Sequence, residues 1–105
     1  MKYVVFYEVA DGDVMPRIRE HNPAHRARWA QFHARGDLLM IGPVTDLRDG
    51  AMAVFTTREA AEEFVGGDPF VLHGVVSTWR IAEWMEALVP DAPDLGSSPS
   101  PRGGR

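Results

Sequence analysis

The segments of this chain that read as β-strands are apolar on both faces. In Tyr3-Val4-Val5-Phe6-Tyr7 every position is aromatic or β-branched, and in Ala51-Met52-Ala53-Val54-Phe55 neither alternate set is polar. A strand turns alternate side chains to opposite faces of its sheet. An antiparallel sheet with one wet face therefore alternates between apolar and polar residues. These segments do not alternate, so the sheet they build needs a cover on each side.

Punctuation along the chain sets the element order. The first strand, Tyr3 to Tyr7, ends at the turn cluster Asp11-Gly12-Asp13. Val14 to Glu20 shows only a weak helical pattern, broken near Pro16. A clear helix is predicted from Asn22 as N-cap with Pro23 as first helical residue, running through Trp29 and Phe32 to Gly36. Leu38 to Ile41 is a short buried strand closed by Gly42-Pro43, and Thr45 to Asp49 has the length of a hairpin loop. The third strand is Ala51 to Phe55. Thr57 caps a second helix, Arg58 to Val65, ended by Gly66-Gly67. Asp68-Pro69 opens a half-turn to Gly74, and Val75 to Trp84 is the last strand.

The order β-α-β-β-α-β is that of the ferredoxin-like α+β sandwich, with two helices on one face of a four-stranded antiparallel sheet. The helices cover one sheet face. The second face is expected to meet the same sheet of a second subunit, because symmetric homodimers are the commonest oligomers.

A length of 105 residues bounds the chain to one domain. Its net charge of −4 argues against a nucleic-acid platform. The absence of cysteine excludes a disulfide framework and thiolate metal sites. No apolar run nears the roughly 20 residues of a membrane span, and no signal-peptide pattern opens the chain. The expected setting is the cytoplasm, with neither nucleic acid nor membrane as partner. From Val89 to Arg105 the sequence is mostly Pro, Ser, Gly and charge. With nothing to bury it reads as a disordered tail behind a folded domain of residues 1–88.

Two segments carry the chemistry. Asn22-Pro23-Ala24-His25 presents an imidazole and Gly67-Asp68-Pro69-Phe70 presents a carboxylate. Brought together, His25 and Asp68 form an imidazole–carboxylate pair suited to general base catalysis, the carboxylate fixing the ring tautomer. As third residue of a helix, His25 would meet the positive end of the macrodipole, which favours the neutral base. His25 shares a helical stripe with Trp29 and Phe32, which places it at the rim of the core. The plainer alternative is a core-edge histidine bonded to a backbone carbonyl, with Asp68 capping a helical turn.

Tyr7, Gly42, Pro43 and Phe70 are the candidate substrate-binding residues, although Gly42-Pro43 equally serves to end strand pairing. His21, His25 and His33 do not make a metal triad, since His33 lies about 12 Å along the axis from His25 at ~1.5 Å per residue. His73 has no assigned role. Without a phosphate loop or dinucleotide fingerprint no cofactor is expected. Arg17, Arg19, Arg26 and Arg28 are diluted by acids and read as solvated surface. Arg80 has two readings, a polar tip reaching the pocket or a partner of Glu8 or Glu83 at the sheet edge. Trp29, Phe55, Trp79 and Trp84 read as core and interface.

Several motifs, taken in order, resemble the YCII-related (YciI-like) family of small bacterial proteins. They are the strand from Lys2 to Glu8, Asn22-Pro23-Ala24-His25 with Ala27-Arg28-Trp29, and Gly36-Asp37-Leu38-Leu39. Met40-Ile41-Gly42-Pro43, Val54-Phe55 to Glu59-Ala60-Ala61, and Asp68-Pro69-Phe70 with Gly74-Val75 follow. The resemblance covers residues 1 to about 88. It implies a dimeric α/β barrel built from ferredoxin-like subunits, and an active site centred on His25 and Asp68. It also implies enzymatic roles, including elimination of the dehydrochlorinase kind on small ring compounds. The function expected is a cofactor-free isomerase, lyase or eliminating enzyme with a His–Asp general base. The alternative is a dimeric module that binds a small ligand without chemistry.

Overall fold

The structure, a computed structural model, describes residues 1–88. The expected tail at 89–105 lies outside the described residues. The elements are β1 (Lys2–Val9), α1 (Met15–Ala34), β2 (Leu38–Pro43), β3 (Ala51–Phe55), α2 (Arg58–Gly67), α3 (Pro69–Leu72) and β4 (Val76–Trp84), with a 3-10 turn at Leu47–Asp49 between β2 and β3. The strands form one antiparallel sheet in the order β2-β3-β1-β4. This is the ferredoxin-like α+β arrangement that the element order implied. No helix among the described residues is long and apolar enough to cross a membrane.

One boundary differs from the sequence reading in a way that matters. Helix α1 begins at Met15, not at Asn22, so Pro23 lies inside it. Proline within a helix forfeits a hydrogen bond and crowds the carbonyl four residues back. Here the upstream half survives because it has its own start and its own packing. Asp13 Oδ1 accepts the Met15 N–H at 3.2 Å, and Pro16 occupies the first turn, where a missing N–H costs nothing. Met15, Ile18 and Asn22 then line the main cavity, and His21 stacks on His73 at 3.9 Å, tying α1 to the end of α3. His25 therefore sits in mid-helix. The macrodipole acts within the terminal turns, so the expected influence of a helix N-terminus on this imidazole does not apply.

Gly42-Pro43 also departs from its expected role of ending the sheet pairing. The pairing continues through both residues, Gly42 opposite Met52 and Pro43 opposite Ala51. Strand β2 is an edge strand, where a residue without N–H leaves no ladder partner unpaired.

The core lies between the helices and one sheet face. Val5, Tyr7, Ala53 and Phe55 point inward from the strands to meet Phe32 of α1 and Ala60, Ala61, Phe64 and Val65 of α2. Phe32, Phe55 and Phe64 form an aromatic knot, with Phe32 edge-on to Phe64 at 5.2 Å and Phe55 tilted against Phe64 at 5.3 Å. Burying each such ring contributes about 1.5–3 kcal/mol. Helix α2 is started by Thr57, whose hydroxyl accepts the Ala60 N–H at 3.1 Å. The opposite sheet face is apolar as well. The register sets Val4 beside Val54 and Ala82, Phe6 beside Met52, and Met40 beside Val54. Arg80 lies across the Phe6 ring at 4.1 Å, and none of the ion pairs among the described residues includes it.

Candidate active site

Helix α2 and helix α3 meet at Asp68. Its backbone ends the first, and its side chain starts the second by accepting the Phe70 N–H at 3.1 Å. The same carboxylate faces across to α1 and down to the sheet. Asp68 Oδ1 lies 2.7 Å from His25 Nδ1, and Oδ2 accepts the Tyr7 hydroxyl at 2.6 Å. Both readings of Asp68, helix cap and imidazole partner, describe the one residue. Asp68 is 0 % exposed and His25 8 % exposed. A buried carboxylate is tolerable only when its lone pairs are met, and three donors from three elements do so here.

The geometry assigns protons. A carboxylate accepts and does not donate, so His25 Nδ1 carries the hydrogen, which leaves the lone pair on Nε2 whenever the ring is neutral. Nε2 has no hydrogen-bond partner among the described residues. Tyr7 is held as a donor. Burial first, then the charge and hydrogen bond of Asp68, push its hydroxyl well above the ordinary tyrosine range. The imidazole plane is clamped by Phe70, stacked at 4.0 Å, and by the edge of Phe64 at 6.3 Å.

Arg28 positions this cluster from behind. Its Nε donates to the Phe64 carbonyl at 3.1 Å and its Nη2 to the Glu63 carbonyl at 2.7 Å, both in the last turns of α2. The guanidinium fills the space beside Gly67, where any Cβ would stand 2.6 Å from it. Far from being solvated surface, Arg28 latches α1 to the segment that delivers Asp68.

His25 opens onto a cavity of about 540 Å³ between α1 and the β2–β3 side of the sheet, within the roughly 300–1,000 Å³ usual for small-molecule sites. Of the residues expected at a substrate, Tyr7, Gly42, Pro43 and Phe70 all line it, as does His25, while Asp68 stands behind the imidazole. Trp29, His33, Asn22 and Arg26 line it too. Sequence reading assigned Trp29 to the core, Asn22 to a helix cap and Arg26 to solvent. The spacing of His25, Trp29 and His33, four residues apart each time, was the available signal: it marks a single stripe on α1. Among the described residues no group of three or more His, Cys, Asp or Glu could hold a metal ion.

Comparison with known proteins agrees with this architecture. A solved structure of 5-chloro-2-hydroxyhydroquinone dehydrochlorinase from Burkholderia phenoliruptrix AC1100, in complex with 2,5-dihydroxybenzoquinone, superposes with a TM-score of 0.65 at 20% identity, covering 80% of this chain and 93% of that one. At that identity the likeness shows the fold. Among curated proteins none matches the sequence. The family model of the YCII-related domain matches residues 1–85. That match runs from β1 through β4 and takes in Tyr7, His25 and Asp68, so the chain belongs to the YCII-related family.

Proposed function

We propose that this protein is a cofactor-free enzyme in which His25 acts as general base on a small cyclic or aromatic substrate held in the cavity. The observation that carries the reading is the Tyr7–Asp68–His25 chain of hydrogen bonds, with the free Nε2 at the wall of an apolar cavity. His25 Nε2 takes a proton from an acidic C–H or O–H of the substrate. Asp68 keeps the ring in the correct tautomer and stabilises the imidazolium that forms. Tyr7 touches the reaction through Asp68, while Phe70, Gly42 and Pro43 shape the substrate's surroundings. In an elimination, the electron pair of the broken bond moves into the ring system and expels a leaving group such as chloride. In an isomerisation, the proton is returned at another carbon. The solved dehydrochlorinase of the same fold, with its bound quinone, supports the eliminating variant.

The unit is proposed to be a homodimer joined through the outer sheet faces. Met40, Met52 and Trp84, exposed at 59%, 43% and 47%, stand on that face around Val4, Phe6 and Val54. Sedimentation should give a dimer that Met52→Asp converts to monomer. A concentration-independent monomer would sink this part.

The function is tested by incubating the protein with chlorinated hydroxyhydroquinones and following chloride release. His25→Gln should abolish release and leave the thermal unfolding cooperative. If ring compounds bind to both proteins and neither consumes them, the ligand-binding module is the better description.

A further inference from the structure

The cavity that His25 faces carries an arginine and no carboxylate, on an acidic protein. The chain carries 15 Asp and Glu against 11 Lys and Arg. No Asp or Glu lines the cavity, whereas Arg26 does. Asp68 is the nearest carboxylate to the imidazole, and its oxygens are occupied by Tyr7, His25 and the Phe70 N–H. Of the arginines on α1, Arg17 and Arg19 line no part of the cavity.

Arg26 is placed to meet a ligand. Its guanidinium lies over the Trp29 ring at 5.6 Å, which holds the cation against the cavity wall by its π face. None of the ion pairs among the described residues involves Arg26. Its planar fork of donors matches the two oxygens of a carboxylate on a small ring compound. One turn beyond Trp29, His33 Nδ1 donates to the Leu38 carbonyl at 2.9 Å. A carbonyl only accepts, so His33 Nε2 is an acceptor when the ring is neutral and a second donor once it is protonated. The cavity thus has a candidate base at His25, an indole face at Trp29, a cation at Arg26 and an imidazole at His33.

We propose that the ligand is an anionic ring compound, its carboxylate bound by Arg26, its ring against Trp29, and its acidic carbon or hydroxyl turned to His25. This rests on the general-base reading of the same cavity and adds the charge class of the substrate. Arg26 is then the residue that sets specificity and does not take part in the proton transfer.

The test uses gentisate and its uncharged amide, gentisamide, which share ring and hydroxyls and differ in charge. Each is titrated into the full-length protein while nitrogen-15 signals of the His25 imidazole are followed. Gentisate should bind roughly tenfold more tightly than gentisamide, the order expected for a charge-assisted contact. The preference should shrink with added salt, vanish in Arg26→Gln and return in part in Arg26→Lys, while both compounds move the His25 signals. Arg26 is exposed, so these variants should unfold as the wild type does. Equal affinities, with His25 signals moved by both compounds, would overturn the anionic substrate and leave the general base standing. A gentisate preference that persists in Arg26→Gln would overturn the role of Arg26. If neither compound moves His25, the cavity is not the substrate site and both readings fall.

Discussion

Tyr7→Phe removes one oxygen atom from the buried cluster and nothing else of its shape. In the wild type that hydroxyl donates to Asp68 Oδ2 at 2.6 Å, where Asp68 has no exposure to water. After the change Oδ2 has no donor among the described residues. A hydrogen bond to a charged group contributes about 1.5–3 kcal/mol, so a loss near 2 kcal/mol is expected. At about 4–8 °C per kcal/mol for a domain of this size, that is a fall in Tm of about 8–16 °C. A second readout has a definite sign. The folded-state pKa of Tyr7 is raised above its ordinary 10.0. A raised value contributes stability that is complete below the unfolded pKa and is lost as pH climbs. Above about pH 10 the unfolded chain releases this proton and the folded chain keeps it, which costs about 1.4 kcal/mol per pH unit. Tyr7→Phe lacks that term, whereas Tyr3 is common to both proteins and cancels. Urea unfolding followed by far-UV circular dichroism at neutral pH and at steps from about pH 9 to 11 measures both quantities. Equal stability at neutral pH, or an alkaline slope identical in the two proteins, would refute the claim that the Tyr7 hydroxyl holds Asp68.

Three further expectations follow from particular atoms. Gly50 has φ +90°, and a Cβ there would land on the Tyr7 carbonyl oxygen. Gly50→Ala should therefore cost more than about 2 kcal/mol, well beyond Gly12→Ala, where φ is +86° but nothing lies within 4 Å; paired urea curves decide it. Arg28→Lys keeps the charge and loses the fork that holds the Glu63 and Phe64 carbonyls. It should destabilise by about 1–2 kcal/mol and lower any turnover, and full stability in this variant would remove Arg28 as the latch. Hydrogen bonds from Lys2 and the N-terminal ammonium hold the Glu86 carboxyl down from 4.5 to about 2. A depressed value contributes stability that is present above pH 4.5 and lost as pH falls toward 2. Thermal melts over that range should show a shallower acid decline in Glu86→Gln, and an unchanged decline would count against the contact.

Much of the fold was legible because its signals are local. Gly36 precedes β2, Thr57 starts α2, and the run Tyr3 to Tyr7 is aromatic or β-branched throughout, the signature of a strand. The start of α1 was not legible. Asn22-Pro23 is a strong local cap signal, and only the packing of Met15, Ile18 and His21 against the rest of the molecule outweighs it. The pairing of Gly42 and Pro43 was hidden for a similar reason, since proline is tolerated in a ladder only on an edge strand, and strand order is not written in any one segment. Arg26 and Arg28 look alike in sequence, yet one lines the cavity and the other grips α2.

By itself the sequence determined the element order and the family, and it singled out two residues, His25 and Asp68, as a candidate pair. It did so because caps, turns and β-branched runs act over a few residues. Only the tertiary structure decided that the pair has a third member. Tyr7 and Asp68 are 61 positions apart, on a central strand and a helix junction, and their contact depends on β1 running beneath the point where α2 ends. The same is true of the cavity. Its walls come from α1, β2, β3 and the Phe70 turn, and the space between them exists only once the helices have packed on the sheet.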